Sequence, residues 1–339
     1  MSLNRRIVLA SRPVGDPVPE NFEVQDVPMP EPGEGQVLVK TLWLSIAPYM
    51  RWRMNDAKSY APPVALGDVM VGATVGEVVR SRHSDFAAGD IVIGLGGWQQ
   101  YAVCDGKALR KQDAEWGKSA VMLGVLGGNG MTAYAGLFHI GKPKPGETVV
   151  VAAASGGVGS LVGQMAKLRG ARAVGIAGGP EKCRFVVDEL GFDTCLDHRA
   201  PDFPQALAKA CPDGIDVYFE NVGGAVWNAV LPLLNDFARV PVCGVISQYS
   251  ATEPPPGPDR TPELMRLILS RRLELRGFVL TDFLHIQEEF NAAAVAWHRA
   301  GQLRYREDVH QGIDAAPQAF IGMLKGRNFG KVLVQVAQD

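Results

Sequence analysis

The sequence lacks the features that mark several large classes of protein. It has five cysteines in 339 residues, widely spread and without a CxxC pair. An odd, scattered set of this kind argues against a disulfide framework and a structural zinc site. No segment approaches about 18 uninterrupted apolar residues, and the apolar run after Arg5 and Arg6 is too short for a signal peptide. We therefore expect no membrane span and a cytoplasmic location.

An excess of charge of one sign is also missing. The chain has 34 Lys and Arg against 36 Asp and Glu, which gives a formal net charge of −2. Nucleic acid and anionic membranes attract basic surfaces, so neither is expected as a partner, and a small neutral ligand fits better. A length of 339 residues predicts two domains, or one domain interrupted by another.

The pattern of strands and helices changes near residue 130. Before it, short strand-like segments separated by Pro and Gly predict a small β-rich lobe. They are residues 36–42, 69–79, 90–93 and 99–103. From residue 144, strands alternate with helix-length segments, which predicts a parallel sheet with crossover helices.

Six strands and six helices are predicted in this second part. The strands are residues 148–153, 171–177, 193–196, 215–220, 238–245 and 275–280, and the helices are residues 160–169, 180–190, 203–210, 225–234, 262–271 and 284–300. A strand at 303–309, a helix at 315–325 and a strand at 332–336 form a tail that could return to the first lobe. The proline-rich residues 253–260 predict an exposed loop.

The strongest functional signal is a turn of small residues, AASGGVG, at residues 153–159. A strand of β-branched residues runs into it and a helix follows. Small side chains at 153, 156 and 159 let the backbone turn sharply and approach a pyrophosphate, while the helix N-terminus offers N–H groups to the phosphates. A glycine-rich turn alone can be conformational, but the βα units around this one favour dinucleotide binding. Its spacing is AxxGxxG rather than GxGxxG.

The end of the next strand predicts which dinucleotide binds. Sites for NAD usually place an acid there to hold the ribose 2′-hydroxyl. Here the strand ends in AGGP at 177–180, without an acid, and Lys182 follows. A cation beside an open glycine turn suits a 2′-phosphate, which favours NADPH. The alternative for Lys182 is a solvated lysine in the first turn of a helix.

Ligands for a catalytic zinc ion are missing from the first lobe. A zinc-dependent dehydrogenase needs thiolate and imidazole ligands there. The first 130 residues contain one cysteine, Cys104, and one histidine, His83. We therefore predict no metal site, and hydride transfer assisted by hydrogen bonds.

Several motifs together resemble the zinc-free branch of the medium-chain dehydrogenase/reductase superfamily, specifically its NADPH-dependent alkenal, prostaglandin and curcumin reductases. The resemblance covers nearly the whole chain. Besides the turn at 153–159, it rests on LSIAPYMR at 44–51, SYAPP at 59–63, TAY at 132–134, AGGPEK at 177–182, CLDH at 195–198, ENVGG at 220–224, CGVISQY at 243–249, PPPGP at 254–258 and NFGK at 328–331.

This resemblance implies an α/β fold of two domains. A Rossmann doubly wound parallel sheet at residues 130–302 would bind NADPH. A GroES-like, partly open β-barrel at 1–129 and 303–339 would form the catalytic domain that binds substrate. It also implies a homodimer.

The activity that the resemblance implies is reduction of the carbon–carbon double bond of α,β-unsaturated ketones and aldehydes. NADPH would supply hydride to the β-carbon, and the resulting enolate would be protonated at the α-carbon, with negative charge developing on the carbonyl oxygen. Two alternatives use the same cofactor site: a quinone oxidoreductase, and a non-catalytic NADPH-binding protein.

The resemblance also implies which residues contact the cofactor. Lys182 and His198 would flank the 2′-phosphate, although His198 with Arg199 could be an exposed loop pair. The full predicted set is Thr132, Ser155, Gly156, Gly157, Val158, Gly159, Gly178, Lys182, His198, Asn221, Cys243, Gly244, Ile246, Ser247, Tyr249, Phe278, Val279, Leu280, Asn328 and Gly330.

For the substrate, the resemblance implies Tyr249 and Tyr49 as catalytic residues and Tyr60 on the wall. A phenol can donate a hydrogen bond to the enone oxygen while its ring covers the apolar part. Met50 and Met131 would shape an apolar pocket, or are core residues. The chain departs from many relatives by having Ala47 in place of Asp, and GNG in place of a proline-containing loop at 128–130.

Overall fold

The computed structural model describes residues 3–254 and 257–337. Pro255 and Pro256, in the predicted exposed loop and in the PPPGP motif, lie outside the described residues. The chain divides into two compact units, Met1–Gly124 with Glu307–Asp339 as the first, and Val125–Arg306 as the second. No helix in the described part is long and apolar enough to cross a membrane.

The strands are, in chain order, β1 (Leu3–Leu9), β2 (Phe22–Pro28), β3 (Gln36–Ser45), β4 (Thr74–Ser81), β5 (Ile91–Gly94), β6 (Tyr101–Asp105), β7 (Arg110–Lys111), β8 (Thr148–Ala152), β9 (Arg172–Ala177), β10 (Thr194–Asp197), β11 (Ile215–Phe219), β12 (Leu234–Val242), β13 (Glu274–Gly277), β14 (Glu307–Gln311) and β15 (Lys331–Gln335). The α-helices are α1 (Met50–Arg53), α2 (Gly128–Tyr134), α3 (Gly159–Leu168), α4 (Pro180–Asp188), α5 (Phe203–Ala210), α6 (Gly224–Val230), α7 (Thr261–Arg271), α8 (Gln287–Arg299) and α9 (Ala316–Leu324), and a π-helix spans Ala135–Gly141.

The first unit is built on a mainly antiparallel sheet of order β14-β15-β3-β4-β5-β7, with β6 also paired to β3. The C-terminal strand β15 pairs antiparallel with β3, so the tail belongs to this unit. A separate ribbon joins β1 to β2. The apolar core of the first unit includes Trp98, whose ring stacks on Phe22 with a centroid distance of 5.5 Å.

The second unit is a six-stranded sheet of order β10-β9-β8-β11-β12-β13, in which every neighbouring pair is parallel. This is the strand order of a doubly wound Rossmann sheet. The residues of β8, TVVVA, are buried throughout, as expected of a central parallel strand. The predicted fold class is confirmed.

Some elements differ from the sequence-based prediction. β12 begins at Leu234, whereas the predicted strand began at 238. The prediction missed this first part because Asn235 and Asp236 are polar and break the apolar pattern of a strand. The last edge strand runs from Glu307 to Gln311 rather than 303–309. Residues 128–130 were expected in a loop but begin α2, where a Cβ on Gly130 would lie 1.9 Å from the Val125 carbonyl oxygen.

Candidate active site

The turn after β8 is held by backbone contacts that only small residues permit. Ala153 has a φ of 51°, in the left-handed region, and its carbonyl accepts a hydrogen bond from the Gly156 N–H at 2.9 Å. A Cβ on Gly159 would lie 2.3 Å from the Ala153 carbonyl oxygen. Glycine at 159 therefore lets the turn close directly onto the first residue of α3.

The N-terminus of α3 is suited to an anion. Val158 occupies the N-cap position and no side chain caps the helix. The first N–H groups of an α-helix have no partner within the helix, and the helix dipole favours negative charge there. This ten-residue helix thus fits the pyrophosphate of a dinucleotide.

The turns after β8 and β11 meet at the point where the strand order reverses. β8 and β11 are neighbours in the sheet, although two strands and their helices lie between β8 and β11 in sequence. The Asn221 side-chain amide donates to the Ala152 carbonyl at 2.8 Å, which joins the two turns. Ligands of doubly wound sheets bind at this position, beyond the carboxyl ends of the strands.

Glu220, a residue that the sequence analysis did not assign to the site, organises the turn after β11. Its carboxylate accepts hydrogen bonds from the Val222 and Gly223 N–H groups at 2.6 and 2.8 Å and from the Tyr218 hydroxyl at 3.0 Å. Burial raises the pKa of Glu220, and these hydrogen bonds act in the opposite direction. An acid that follows a buried strand and begins the segment ENVGG at 220–224 is the signal that could have revealed this role.

The segment after β12 is fixed to the same turn. The Gly244 N–H donates to the Glu220 carbonyl at 3.1 Å, and the Ser247 N–H donates to the Val222 carbonyl at 3.0 Å. A Cβ on Gly244 would lie 2.8 Å from the Tyr249 hydroxyl oxygen, so the phenol is seated over this glycine. Burial raises the pKa of the Cys243 thiol to about 12, which keeps it protonated at neutral pH. Ile246 begins the short 3₁₀ turn that leads to Tyr249.

Basic side chains converge around Gly178, at the end of β9. A Cβ on Gly178 would lie 3.0 Å from the His198 Nε2 and 3.2 Å from the Arg199 guanidinium carbon. Partial burial lowers the pKa of His198, and the positive charges of Arg199 and Lys182 lower it further. We call Lys182, His198 and Arg199 the basic cluster. Arg199 was considered in the sequence analysis only as part of a loop pair.

A carboxylate lies beside the basic cluster. It belongs to Asp197 at the end of β10, and not to the end of β9, where sites for NAD usually place their acid. Asp197 ends β10, and its carboxylate accepts hydrogen bonds from the N–H groups of Gly179 and Arg199 at 2.9 and 3.0 Å. Burial favours a higher pKa for Asp197, yet these hydrogen bonds and the neighbouring cations hold it below its usual value. The carboxylate is thus satisfied by the backbone and shapes the loop that carries His198.

The other predicted residues of the second unit lie at two places, on α2 and in the segment after β13. Thr132 is on α2, where its hydroxyl donates to the Gly128 carbonyl at 2.7 Å. Met131 is buried in the core. Phe278 follows β13 and packs edge-on against Phe219, with a centroid distance of 6.3 Å. Val279 and Leu280 continue from Phe278 and are half-buried.

In the first unit, Tyr49 and Met50 lie on the turn that opens α1. Met50 is buried in the core and Tyr49 is half-buried, while Tyr60 is 56% exposed. Burial and then the neighbouring Tyr60 raise the pKa of Tyr49, which remains a hydrogen-bond donor at neutral pH. The Met50 N–H donates to the Ala47 carbonyl at 3.2 Å, an interaction that does not require a side chain at position 47.

Lys331 secures this turn from a distant part of the sequence. Its side chain is buried, and its Nζ donates to the Ile46 carbonyl at 2.6 Å. Burial lowers the pKa of Lys331 to about 7. The charge of Glu307, which lies opposite Lys331 in the pairing of β14 with β15, partly opposes that shift. In the preceding residues, the Asn328 side chain donates to the Gly330 carbonyl at 2.9 Å.

Comparison with known proteins identifies the family. Residues 5–112 match the N-terminal domain of oxidoreductase, and residues 157–298 match the family described as zinc-binding dehydrogenase. The NADPH-dependent curcumin reductase of Escherichia coli (strain K12) is 56% identical over 337 residues, which cover 99% of this chain and 98% of that protein. The chain belongs to the NADP-dependent medium-chain dehydrogenase/reductase family.

Two further members support this assignment. The NADP⁺-dependent 2-alkenal reductase of Nicotiana tabacum is 37% identical over 345 residues, covering 99% of this chain and 98% of the relative. The structure of CurA from Vibrio vulnificus in complex with NADPH is 52% identical, with a TM-score of 0.96 over 99% of this chain and 100% of that one. The chain is therefore an NADPH-dependent reductase of carbon–carbon double bonds, as the resemblance in sequence implied.

One of the two matching families is described as zinc-binding, and a zinc site needs several side-chain ligands close together. Within residues 3–254 and 257–337 there is no group of three or more His, Cys, Asp or Glu residues that could hold a metal ion.

Proposed function

We propose that the substrates are conjugated ketones and aldehydes, including curcumin-like enones and 2-alkenals, and that Tyr249 and Tyr49 act on their carbonyl oxygen. The observation that carries this proposal is the position of the Tyr249 hydroxyl, which packs against Gly244 beside the turns at the carboxyl edge of the sheet. The names of the curcumin and 2-alkenal reductases support the substrate class.

The chemistry requires hydrogen-bond donors at the substrate oxygen. NADPH supplies the hydride, which goes to the β-carbon, and negative charge develops on the carbonyl oxygen. A phenol donating to that oxygen stabilises the charge without a metal ion. Tyr249 is held for this role by the contact with Gly244, and the raised pKa of Tyr49 keeps its proton in place.

The basic cluster is the proposed seat of the 2′-phosphate. The His198 and Arg199 side chains lie against Gly178, and Lys182 is close enough for its charge to lower the pKa of His198. A phosphate at this position accepts charge-assisted hydrogen bonds from these side chains and favours the protonated imidazole. We include Arg199 beside the two residues expected from the motifs.

The remaining assignments follow the same proposal. Residues 130–302 form the NADPH domain, and residues 1–129 and 303–339 form the catalytic domain, in which Tyr60 contacts substrate. Met50 and Met131 are buried, which favours the alternative that both are core residues. Asn328 and Gly330 contact the cofactor. The enzyme works in the cytoplasm as a homodimer; five free thiols agree with a reducing compartment.

The test is oxidation of NADPH in the presence of simple enones, 2-alkenals, curcumin and quinones. We expect turnover of enones and enals to exceed that of quinones, and EDTA to leave it unchanged. Higher quinone activity would reassign the substrate class, and tight NADPH binding without turnover on any acceptor would make the protein a non-catalytic binder.

The role of Tyr249 is tested by Tyr249→Phe. We expect kcat for enones to fall by about 10- to 100-fold, the effect of losing a hydrogen bond to developing charge, with KM for NADPH unchanged. Tyr305→Phe, a tyrosine outside the proposed site, is the control and should retain full activity. A Tyr249→Phe enzyme as fast as the wild type would remove this phenol from the reaction.

A further inference from the structure

Two thiols that the proposed reaction does not use lie together beside the basic cluster. Cys183 is on the first turns of α4, directly after Lys182, and Cys195 is on β10, three residues before His198. The Cys195 sulfur and a methyl carbon of Val186 both border Gly175, and Val186 lies one helical turn after Cys183, so both thiols lie where α4 meets β10. A hydrogen bond between them favours the thiolate at Cys183 and the thiol at Cys195. The pair therefore links the two elements that carry the cations of the cluster.

Cys183 has the surroundings of a reactive thiol. Besides the hydrogen bond from Cys195, its sulfur accepts one from the backbone N–H of Ala177, the last residue of β9. These donors lower the pKa of Cys183, against burial and the charge of Asp197. It is half-buried and so within reach of small molecules. Thiolate character and access are what make a cysteine reactive.

The other cysteines have the opposite environment. Burial raises the pKa of Cys104 and of Cys211 to about 11, and that of Cys243 to about 12. Cys195, as the donor in the pair, also has a raised pKa and keeps its proton. Cys183 is thus suited to react first, and Cys195 to respond to the product.

The fold leaves the space that Cys195 needs. Cys195 lies opposite Gly175 in the parallel pairing of β10 with β9. A Cβ on Gly175 would lie 3.1 Å from the Cys195 sulfur and 2.9 Å from a methyl carbon of Val186 on α4. A larger residue at 175 would push Cys195 away from its place, so this glycine maintains the thiol pair.

We propose that Cys183 and Cys195 form a thiol–disulfide site that a peroxide oxidises, and that the closed disulfide weakens NADPH binding at the adjoining basic cluster. The second part rests on the proposed function, because it requires the cluster to hold the 2′-phosphate.

The reaction is a two-electron oxidation. The Cys183 thiolate attacks one oxygen of hydrogen peroxide; the O–O bond breaks, hydroxide leaves and takes up a proton as water, and Cys183 becomes a sulfenic acid. The Cys195 sulfur, losing its proton, then attacks the Cys183 sulfur, and the hydroxyl group leaves as a second water. Two thiols and one peroxide become one disulfide and two waters.

Closure acts on the cofactor site through neighbouring residues. A disulfide holds the two sulfurs at about 2.05 Å, closer than a hydrogen bond does, so closure changes the positions of both side chains and is expected to draw α4 toward β10. Lys182 adjoins Cys183, and His198 follows the same strand as Cys195. Their side chains then no longer meet a phosphate in the geometry of the reduced protein.

The test treats the full chain with hydrogen peroxide and then digests it without reductant. We expect a peptide in which Cys183 is joined to Cys195 with the loss of two hydrogen atoms, and its disappearance with dithiothreitol. In the same samples KM for NADPH should rise about tenfold, as if one charge-assisted hydrogen bond were lost, while kcat at saturating NADPH is retained.

Matched variants separate the parts of the proposal. Cys195→Ser should abolish both the cross-linked peptide and the peroxide effect on KM, whereas Cys211→Ser should retain both. Absence of the cross-linked peptide in the wild type overturns the site. A cross-linked peptide with an unchanged KM overturns its effect on NADPH. If Lys182→Ala also leaves NADPH binding unchanged, the assignment of the basic cluster to the 2′-phosphate is wrong. The mass analysis still tests the disulfide in that case, because it does not depend on where NADPH binds.

Discussion

The two compact units each contain a constrained turn at a proposed functional position, but they constrain it by different means. In the second unit, residues 153–159 are held by their own backbone, with Gly159 against the Ala153 carbonyl. In the first, the turn before Tyr49 is held by Lys331, which lies 285 residues away from Ile46 in the sequence. A turn held locally can be recognised from a short motif, whereas one held by a remote side chain cannot.

The largest effect is expected from Gly159→Ala, which attacks the local constraint. The new Cβ would overlap the Ala153 carbonyl oxygen and displace the turn from the N-terminus of α3. We expect the Kd for NADPH to rise by more than about 100-fold, measured by fluorescence titration of the folded protein. Gly322→Ala, whose Cβ would meet only Arg327 at 4.0 Å, should bind NADPH normally. Normal binding by the Gly159 variant would mean that the turn tolerates displacement.

Lys182→Ala sharpens the comparison by testing side-chain recognition beside the backbone turn. Loss of one cation from the basic cluster should raise the Kd for NADPH by about 10- to 100-fold and leave that for NADH within about twofold. Lys167→Ala removes a lysine that is bonded to Asp193 at 2.7 Å and should change neither. Equal losses for both cofactors would place Lys182 outside phosphate recognition.

The remote constraint is tested by Lys331→Met and pH. The pKa of Lys331 is lowered by burial to about 7 from 10.5, so between these values the unfolded chain binds the extra proton and stability rises with pH. From pH 7 to 9 the free energy of unfolding of the wild type should gain about 2 kcal/mol relative to Lys331→Met, in urea titrations.

Lys325→Met, at an exposed lysine of the same unit, should keep the pH dependence of the wild type. Parallel curves for the wild type and Lys331→Met would show that the buried ammonium is not titrating in this range. KM for enones should rise in Lys331→Met with KM for NADPH unchanged, because only the turn before Tyr49 loses its anchor.

The smallest effect concerns His198. Its pKa is lowered by partial burial and by Arg199 and Lys182, so it is mainly neutral at pH 7 without a ligand. A bound 2′-phosphate favours the charged form, so lowering the pH from 8 to 6.5 should tighten NADPH binding about threefold more in the wild type than in His198→Asn. NADH is the control; an identical pH dependence in both proteins would exclude proton uptake by this imidazole.

The sequence alone was sufficient for the parallel sheet, the glycine turn and the preference for NADPH. β-Branched strands alternating with helices and small residues at fixed spacing are local patterns, and the fold and cofactor inferred from them are confirmed. Prediction was weaker where local pattern was mixed, as at the polar start of β12 and the glycine-rich start of α2.

Only the tertiary structure revealed how the turns are held and which side chains meet. Glu220 organises its turn because its buried carboxylate accepts hydrogen bonds from the backbone of the residues that follow it. Arg199 reaches Gly178 because β10 lies beside β9. Cys183 and Cys195 come together because α4 packs against β10, and Lys331 reaches Ile46 because β15 pairs with β3. Strand pairing brings together residues far apart in the chain, and no local spacing encodes which ones will touch.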